Sequence, residues 1–120
     1  MTLKRVLVVD DELPLVRAIC DYLSAEGWTC TGASTAVEAL ALLDSEAFQI
    51  VLTDISLGDE RDTAGLEIAA RARALNMPVV IMTGHEAAHY AEAASRLTPH
   101  FLRKPIALAE LARDLARWTG

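Results

Sequence analysis

The sequence is short of positive charge, of cysteine and of long apolar runs. It has 11 Lys and Arg residues against 17 Asp and Glu residues, for a formal net charge of −6. A chain with this balance lacks the basic surface that neutralises phosphates on a nucleic acid or docks on an anionic membrane. No apolar run approaches the roughly 18 residues of a membrane span, and no charged leader precedes a cleavable apolar segment. We therefore expect a cytoplasmic protein with no direct nucleic-acid partner and no membrane partner.

The scarcity of cysteine limits the thiol chemistry. Cys20 and Cys30 are the two cysteines of the chain, and they lie too far apart for a CxxC redox or zinc pair. Each lies among apolar residues, where a free cysteine behaves as a small hydrophobic side chain. We expect two buried free thiols rather than a disulfide or a reactive pair, and we assign them no function.

What the sequence does contain is a regular succession of apolar runs and amphipathic segments, in a chain that is 52% hydrophobic. The apolar runs are continuous rather than alternating, which is typical of parallel strands covered on both faces. The segments between them repeat apolar residues with a helical period. The predicted strands are about 6–9, 28–31, 50–52, 79–82 and 100–102, and the predicted helices about 13–26, 35–46, 64–75, 85–97 and 106–118.

Strict alternation of strands and helices predicts right-handed crossovers and a doubly wound α/β sheet. A chain of 120 residues fits one domain, and no linker, repeat or low-complexity tract interrupts the pattern. We expect residues 1–120 to form a single domain without an output domain. The second helix should begin at the capping box Thr35-Ala-Val-Glu38.

Polar side chains follow four of the apolar runs. Asp10 and Asp11 follow the first, Asp54 the third, Thr83 the fourth and Lys104 the fifth. The carboxyl ends of parallel strands meet at one edge of the sheet, where ligands of open α/β sheets bind. Three carboxylates gathered there repel one another and favour a divalent cation such as Mg²⁺. Together with the hydroxyl of Thr83 and the ammonium of Lys104, the carboxylates form a binding site for a phosphoryl group. One of the aspartates would attack its phosphorus atom. The alternative role for several of these residues is helix capping.

Four segments carry a family resemblance. VLVVDDE, IVLTDISL, VVIMTG and FLRKP, in this order and at nearly usual spacings, resemble the receiver domain of two-component response regulators over the whole chain. The resemblance implies a flavodoxin-like (βα)5 fold with five parallel strands in order 2-1-3-4-5. It also implies a phosphoprotein of a phosphorelay, which takes its phosphoryl group from a histidine kinase or phosphotransfer protein and signals to a downstream protein target. Such a signalling domain is not an enzyme beyond its own phosphorylation and slow dephosphorylation, and it is compatible with a phosphorylation-dependent homodimer.

The resemblance also implies roles for the acidic residues. Asp54 would be the phosphoacceptor. Asp10 and Asp11 would be the acidic pair of a Mg²⁺ site that is completed by Asp54 and the backbone carbonyl of Ser56. The metal is the cofactor that the resemblance implies.

A second group of residues would bind and sense the phosphoryl group. By the resemblance, Thr83, Gly84 and Lys104 would contact its oxygens. The Lys104-Pro105 peptide bond would be cis, because the family turns sharply here, and only an X-Pro bond makes the cis form inexpensive. Phe101 would be the switch aromatic, which turns inward when Thr83 is drawn towards the phosphate. The signal would leave through the face of the fourth helix, fifth strand and fifth helix.

Two segments depart from the family pattern. Leu57 and Gly58 stand where Met-Pro is common, and Gly65 arrives eleven residues after the phosphoacceptor instead of about eight. The loop 58–64 is correspondingly longer and charged, which changes the surface beside the site. The segment 97–99 replaces an Ala-Gly-Ala-like turn before the last strand.

Residues 85–89 read His-Glu-Ala-Ala-His, the zinc-binding core of many metallopeptidases. His85 and His89 would lie one turn apart, but Glu92 and Ser95 occupy the places of the Gly and third His of the extended motif. We expect a surface helix without zinc. By the family resemblance, His85 and Ser56 would instead flank the phosphoryl group and set its rate of hydrolysis.

Two other functions use similar residues. An aspartyl-phosphate phosphatase of the haloacid dehalogenase type needs Asp-x-Asp after its first strand, and here Asp10 is followed two places on by Glu12. A receiver-like module that binds partners without phosphorylation is the remaining alternative.

Overall fold

The computed structural model describes residues 4–55, 57, 64–84 and 91–119. Strands and helices alternate along these parts of the chain, as predicted. The strands are β1 (Arg5–Val9), β2 (Thr29–Ala33), β3 (Ile50–Asp54), β4 (Val79–Thr83) and β5 (Phe101–Arg103), and the helices are α1 (Leu13–Ala25), α2 (Ala36–Ser45), α3 (Ala64–Ala74), α4 (Ala91–Leu97) and α5 (Leu108–Thr119). Among these residues, no helix is long and apolar enough to cross a bilayer.

The strands form one parallel sheet in the order β2-β1-β3-β4-β5. This confirms the predicted doubly wound topology. Every residue of the central strand β3 is buried. The order reverses beside β1, and in sheets of this kind the crevice at the carboxyl ends near such a reversal is the usual ligand site.

Alternate residues of the central strands pack into two separate cores, one on each face of the sheet. Val8, Leu52 and Met82 face α1 and α5, whereas Val9, Val51 and Ile81 face α2, α3 and α4. Both faces of the sheet are therefore covered. This is why the sequences of the central strands are continuous apolar runs and do not alternate between apolar and polar residues.

The edge strands differ most from their predicted limits. The apolar pattern placed the second strand at 28–31, but β2 is Thr29–Ala33 and most of it is only partly covered. β5 starts one residue later than predicted and runs to Arg103. Edge strands contact fewer neighbours, so their sequences show a weaker burial pattern, and pairing with the next strand decides where they end.

The expectation of two free thiols is wrong. Cys20 of α1 and Cys30 of β2 form a disulfide, with Cα atoms 5.3 Å apart, and both residues are half-buried. Spacing along the chain did not show this pairing, because it depends on the packing of α1 against the edge strand. Gly32 allows that close packing, since a Cβ atom at this position would lie 2.6 Å from Val16 Cγ1.

Local signals in the sequence explain two turns. Thr35 is the N-cap of α2, as predicted: Glu38 donates its backbone N–H to Thr35 Oγ1 at 3.2 Å, whereas Glu38 Oε1 accepts the N–H of Ser34, the residue before the cap, at 2.8 Å. In the unusual segment before β5, the buried Thr98 hydroxyl donates to the Val79 carbonyl at 2.7 Å and accepts the N–H of His100 at 3.1 Å. Thr98 thus attaches this turn to the start of β4.

Candidate functional site

The polar residues predicted at the strand ends converge at one edge of the sheet. Asp10 directly follows β1, Asp54 ends β3, Thr83 ends β4 and Lys104 directly follows β5. The register pairs Asp54 with Met82, so that Thr83 lies one position beyond Asp54 along the sheet. The Lys104 N–H donates to the Thr83 carbonyl at 2.8 Å, which fixes the backbone from which the lysine side chain extends.

Asp10, Asp11 and Asp54 form a compact acidic cluster, with carboxylate oxygens within 4.8 Å of one another. Asp10 is fully buried, Asp54 is 7% exposed and Asp11 is exposed. Partial burial and the nearby charge of Asp10 raise the pKa of Asp11 above its ordinary value. The cluster therefore holds negative charge at an electrostatic cost that a cation would relieve.

Lys104 supplies part of that positive charge. Its Nζ lies 2.8 Å from Asp10 Oδ2, 2.9 Å from Asp54 Oδ2 and 3.4 Å from Glu12 Oε2. Burial lowers the pKa of Lys104, but the contacts with Asp10 and Asp54 raise it more, so that it lies above the ordinary value of a lysine. The ammonium is charged at neutral pH and bridges the ends of β1 and β3.

The donor set suits a small, hard cation. Asp10 Oδ2 is buried, and its described polar contact is the Lys104 ammonium at 2.8 Å. Three clustered carboxylates, of which two are buried and one is exposed, fit a Mg²⁺ ion that keeps several waters. These residues have the chemistry that such an ion requires.

Neither Asp10 nor Asp11 caps α1, which was the alternative role for them. The N-cap residue is Glu12, and its side chain makes no capping hydrogen bond. Asp10 Oδ1 instead accepts the N–H of Glu12 at 2.9 Å. No role in this site was predicted for Glu12, because its contact with the site depends on the fold.

Thr83 and Phe101 lie on neighbouring strands, Thr83 at the end of β4 and Phe101 at the start of β5. The Thr83 hydroxyl donates to the Leu102 carbonyl at 3.4 Å, and Phe101 is 37% exposed. Gly84, directly after β4, is half-buried. The peptide bond between Lys104 and Pro105 is cis, the geometry expected at this turn.

Gly65 is a positioning residue whose role was not predicted from its place in the sequence. It lies in the first turn of α3, where a Cβ atom would overlap the Asp54 carbonyl oxygen and lie 2.6 Å from the Ile55 carbonyl oxygen. Only glycine lets α3 approach the end of β3 this closely. A glycine inside a predicted helix is the signal for such a close approach.

Several predicted residues lie outside the described parts of the chain. These are Ser56, His85 and His89, together with residues 58–63 of the long loop. Their predicted roles in metal binding and in hydrolysis of the phosphoryl group stay predictions. The expectation of a helix without zinc at His-Glu-Ala-Ala-His also stays a prediction.

Comparison with known proteins agrees with this geometry. The family model described as "Response regulator receiver domain" matches residues 6–116. The chain belongs to this family, and is thus a receiver domain of the two-component response regulators. Members of the family are signalling domains that bind Mg²⁺ at an acidic pocket and interact with histidine kinases or phosphotransfer proteins.

Particular relatives support the assignment. The chain is 39% identical over 85 residues to the alginate biosynthesis transcriptional regulatory protein AlgB of Pseudomonas aeruginosa. The matched region covers 69% of this chain and 18% of AlgB. It is 35% identical over 112 residues to the transcriptional regulatory protein PmrA of Pectobacterium parmentieri, covering 89% of this chain and 48% of PmrA. The chain therefore spans less than half the length of either protein.

Solved structures show the same fold. A CheY-like response regulator receiver domain protein from Methanospirillum hungatei superposes with a TM-score of 0.89 at 27% identity, covering 98% of this chain and 94% of that one. The receiver domain of NtrX from Brucella abortus gives a TM-score of 0.81 at 31% identity, covering 93% and 95%.

Proposed function

We propose that this receiver accepts a phosphoryl group on Asp54 from a phosphohistidine of a histidine kinase or phosphotransfer protein. The observation that carries the proposal is the position of Asp54. Its carboxylate lies at the sheet edge within 4.8 Å of the Asp10 and Asp11 ligand atoms and 2.9 Å from the Lys104 ammonium. A nucleophile placed between acidic metal ligands and a lysine has the surroundings that phosphoryl transfer requires.

The transfer is a displacement at phosphorus. An Asp54 carboxylate oxygen forms the new P–O bond, the P–N bond of the donor phosphohistidine breaks, and its electron pair leaves with the imidazole, which takes up a proton. The product is an acyl phosphate on Asp54. Hydrolysis later breaks that P–O bond, and Ser56 and His85 are proposed to flank the attacking water.

The acidic cluster is proposed to hold Mg²⁺. The ligands would be the carboxylates of Asp10, Asp11 and Asp54 and the backbone carbonyl of Ser56. Bound Mg²⁺ supplies positive charge that offsets the negative charge of the phosphoryl oxygens. Asp11 is the exposed member of the cluster, which leaves room for the waters that Mg²⁺ retains.

The chain's own donors are proposed to bind the remaining phosphoryl oxygens. Lys104 contributes its ammonium, which already contacts Asp54 at 2.9 Å. Thr83 contributes its hydroxyl and Gly84 lies beside it at the end of β4. The strands fix the backbone positions of these groups, so that only shifts of side chains are needed for them to meet a phosphoryl oxygen.

Thr83 and Phe101 are proposed to carry the signal outward. A Thr83 hydroxyl drawn towards the phosphate leaves the Leu102 carbonyl, which is next to Phe101 on β5. Phe101 then turns inward from its partly exposed position, and the face of α4, β5 and α5 presents a different surface to a downstream protein or to a second copy of the chain. The phosphoryl group shifts this equilibrium only by its differential affinity for the two arrangements.

The central experiment is labelling with acetyl phosphate and Mg²⁺. Wild-type protein should gain one phosphoryl group that is stable in acid and labile in base, as expected of an acyl phosphate. Asp54→Asn should abolish the label, because it removes the nucleophilic oxygen and nearly preserves the side-chain shape. Absence of magnesium-dependent label in the wild type, beside a receiver that does label, would favour a module that binds partners without phosphorylation.

A matched pair of variants separates the metal from the lysine. Asp11→Asn should weaken Mg²⁺ binding measured by calorimetry, whereas Lys104→Ala should retain Mg²⁺ binding and lose phosphorylated protein. Equal Mg²⁺ affinity in Asp11→Asn and wild type would remove Asp11 from the proposed ligand set.

A further inference from the structure

Glu12 is a third carboxylate on Lys104, and its position points to a role of its own. Glu12 Oε2 lies 3.4 Å from Lys104 Nζ, and the Glu12 side chain is 63% exposed. The residues are 92 positions apart in the sequence, so the contact exists only in the fold.

The backbone of Glu12 is held on both sides. Its N–H donates to Asp10 Oδ1 at 2.9 Å, and its carbonyl accepts the N–H groups of Leu15 and Val16 at 3.0 and 3.1 Å. The side chain takes no part in capping α1. Its described polar partner is Lys104, and helix formation does not depend on that contact.

A phosphoryl group on Asp54 changes what Lys104 must contact. A lysine ammonium has three N–H donors, and Lys104 lies near three carboxylates. Phosphorylation turns the Asp54 carboxylate into an acyl phosphate, so the ammonium has to shift from Asp54 Oδ2 towards a phosphoryl oxygen. The contact with Glu12 is the longest of the three and has the most exposed partner, so it is the contact that breaks most easily when the ammonium shifts.

We propose that Glu12 is a positioning residue that holds Lys104 in the unphosphorylated arrangement and is displaced from it when Asp54 is phosphorylated. This inference rests on the proposed function. The Glu12 carboxylate lies 3.4 Å from Lys104 Nζ, which itself lies 2.9 Å from Asp54, so it adds negative charge near the phosphoryl group that Asp54 would carry. Both effects favour the unphosphorylated state, so Glu12 limits how far phosphorylation proceeds.

The test uses the full chain with Mg²⁺ and two probes: beryllofluoride as a phosphoryl mimic, and acetyl phosphate. Glu12→Gln should bind beryllofluoride about two- to fivefold more tightly than wild type and reach a higher steady-state phosphorylation, the size expected for an exposed ion pair. Its Mg²⁺ dissociation constant should stay within about twofold of wild type, because the metal ligands are intact.

Two further variants identify the cause. Glu12→Asp retains the charge but is too short to keep the Lys104 contact, so its beryllofluoride affinity should lie between those of wild type and Glu12→Gln. Glu26→Gln removes an equal charge from an exposed residue at the other end of α1, and it should behave as wild type. Unfolding midpoints of all variants, measured in chelator, check that each is folded.

The same measurements distinguish failure of the proposed function from failure of the role of Glu12. Wild-type protein that takes neither a phosphoryl group nor beryllofluoride would overturn the proposed function itself. Wild-type protein that takes both, with Glu12→Gln unchanged or weaker, would overturn the role of Glu12 alone. A tenfold loss of Mg²⁺ affinity in Glu12→Gln would instead assign Glu12 to the metal site.

Discussion

Lys104 Nζ lies 2.9 Å from Asp54 Oδ2, although the two residues are 50 positions apart in the sequence. The lysine also pairs with the fully buried Asp10 at 2.8 Å. One ammonium thus joins the ends of two adjacent strands, β1 and β3, from its place after β5. This geometry makes Lys104 both a stabilising counter-charge and the group placed to meet a phosphoryl oxygen.

Lys104→Ala should lower the stability of the metal-free protein. Removing one partner of a buried ion pair costs about 3–5 kcal/mol, and we expect about 2 kcal/mol here because the lysine side chain is partly exposed. The free energy of unfolding in urea, measured with chelator, checks this value. Added Mg²⁺ should recover more stability in the variant than in wild type, since the carboxylates then lack their lysine. An equal Mg²⁺ effect in both proteins would contradict the proposed metal position.

Gly65→Ala should destabilise the protein and impair labelling of Asp54. Helix propensity alone predicts that this change raises the free energy of unfolding by about 1 kcal/mol. A measured decrease would show that the clash of the added Cβ atom with the end of β3 outweighs propensity. The added Cβ atom has to displace either α3 or the carbonyl groups of Asp54 and Ile55. We expect a net loss of more than about 2 kcal/mol by thermal or urea unfolding.

The control for Gly65→Ala is Ala70→Gly, at an exposed position of the same helix. It should cost about 1 kcal/mol by propensity and leave labelling of Asp54 unchanged. A stabilised Gly65→Ala protein with normal labelling would show that α3 does not approach β3 as closely as described.

The purified protein should contain no free thiol, because Cys20 and Cys30 are joined. Thiol titration in denaturant, before and after reduction, should give zero and two thiols per chain. The disulfide closes a loop with a sequence separation of 10 residues. Such a loop is worth about 2–3 kcal/mol by the chain-entropy estimate, so a reductant should lower the unfolding midpoint.

The Cys20→Ser, Cys30→Ser double variant is the control for that reduction. Reductant should no longer shift its unfolding midpoint. Two titratable thiols in the untreated wild-type protein would restore the expectation drawn from the sequence.

Phe101→Ala should weaken the link between phosphorylation and partner binding. Phe101 is partly exposed on β5 and lies away from the acidic cluster, so labelling of Asp54 should stay within about twofold of wild type. Partner affinity, measured with and without beryllofluoride, should differ less in the variant. Wild-type protein whose partner affinity is the same in both states would contradict the switch.

Much of the fold was predictable from the sequence for a physical reason. Strands covered on both faces have apolar side chains on both, so β1, β3 and β4 appear as continuous runs at nearly their observed places. The alternation with helices then implies a parallel sheet, and a parallel sheet brings the residues after each run to one edge. Asp10, Asp54, Thr83 and Lys104 were identified by this argument.

Only the tertiary structure decided the contacts between elements. The Cys20-Cys30 disulfide, the reach of Glu12 to Lys104, the approach of Gly65 to Asp54 and the attachment of the β5 turn by Thr98 all join elements that pack in space. Composition and periodicity report which face of an element is buried. They do not report how closely two elements pack or which side chains meet between them, because these follow from the positions of both elements together.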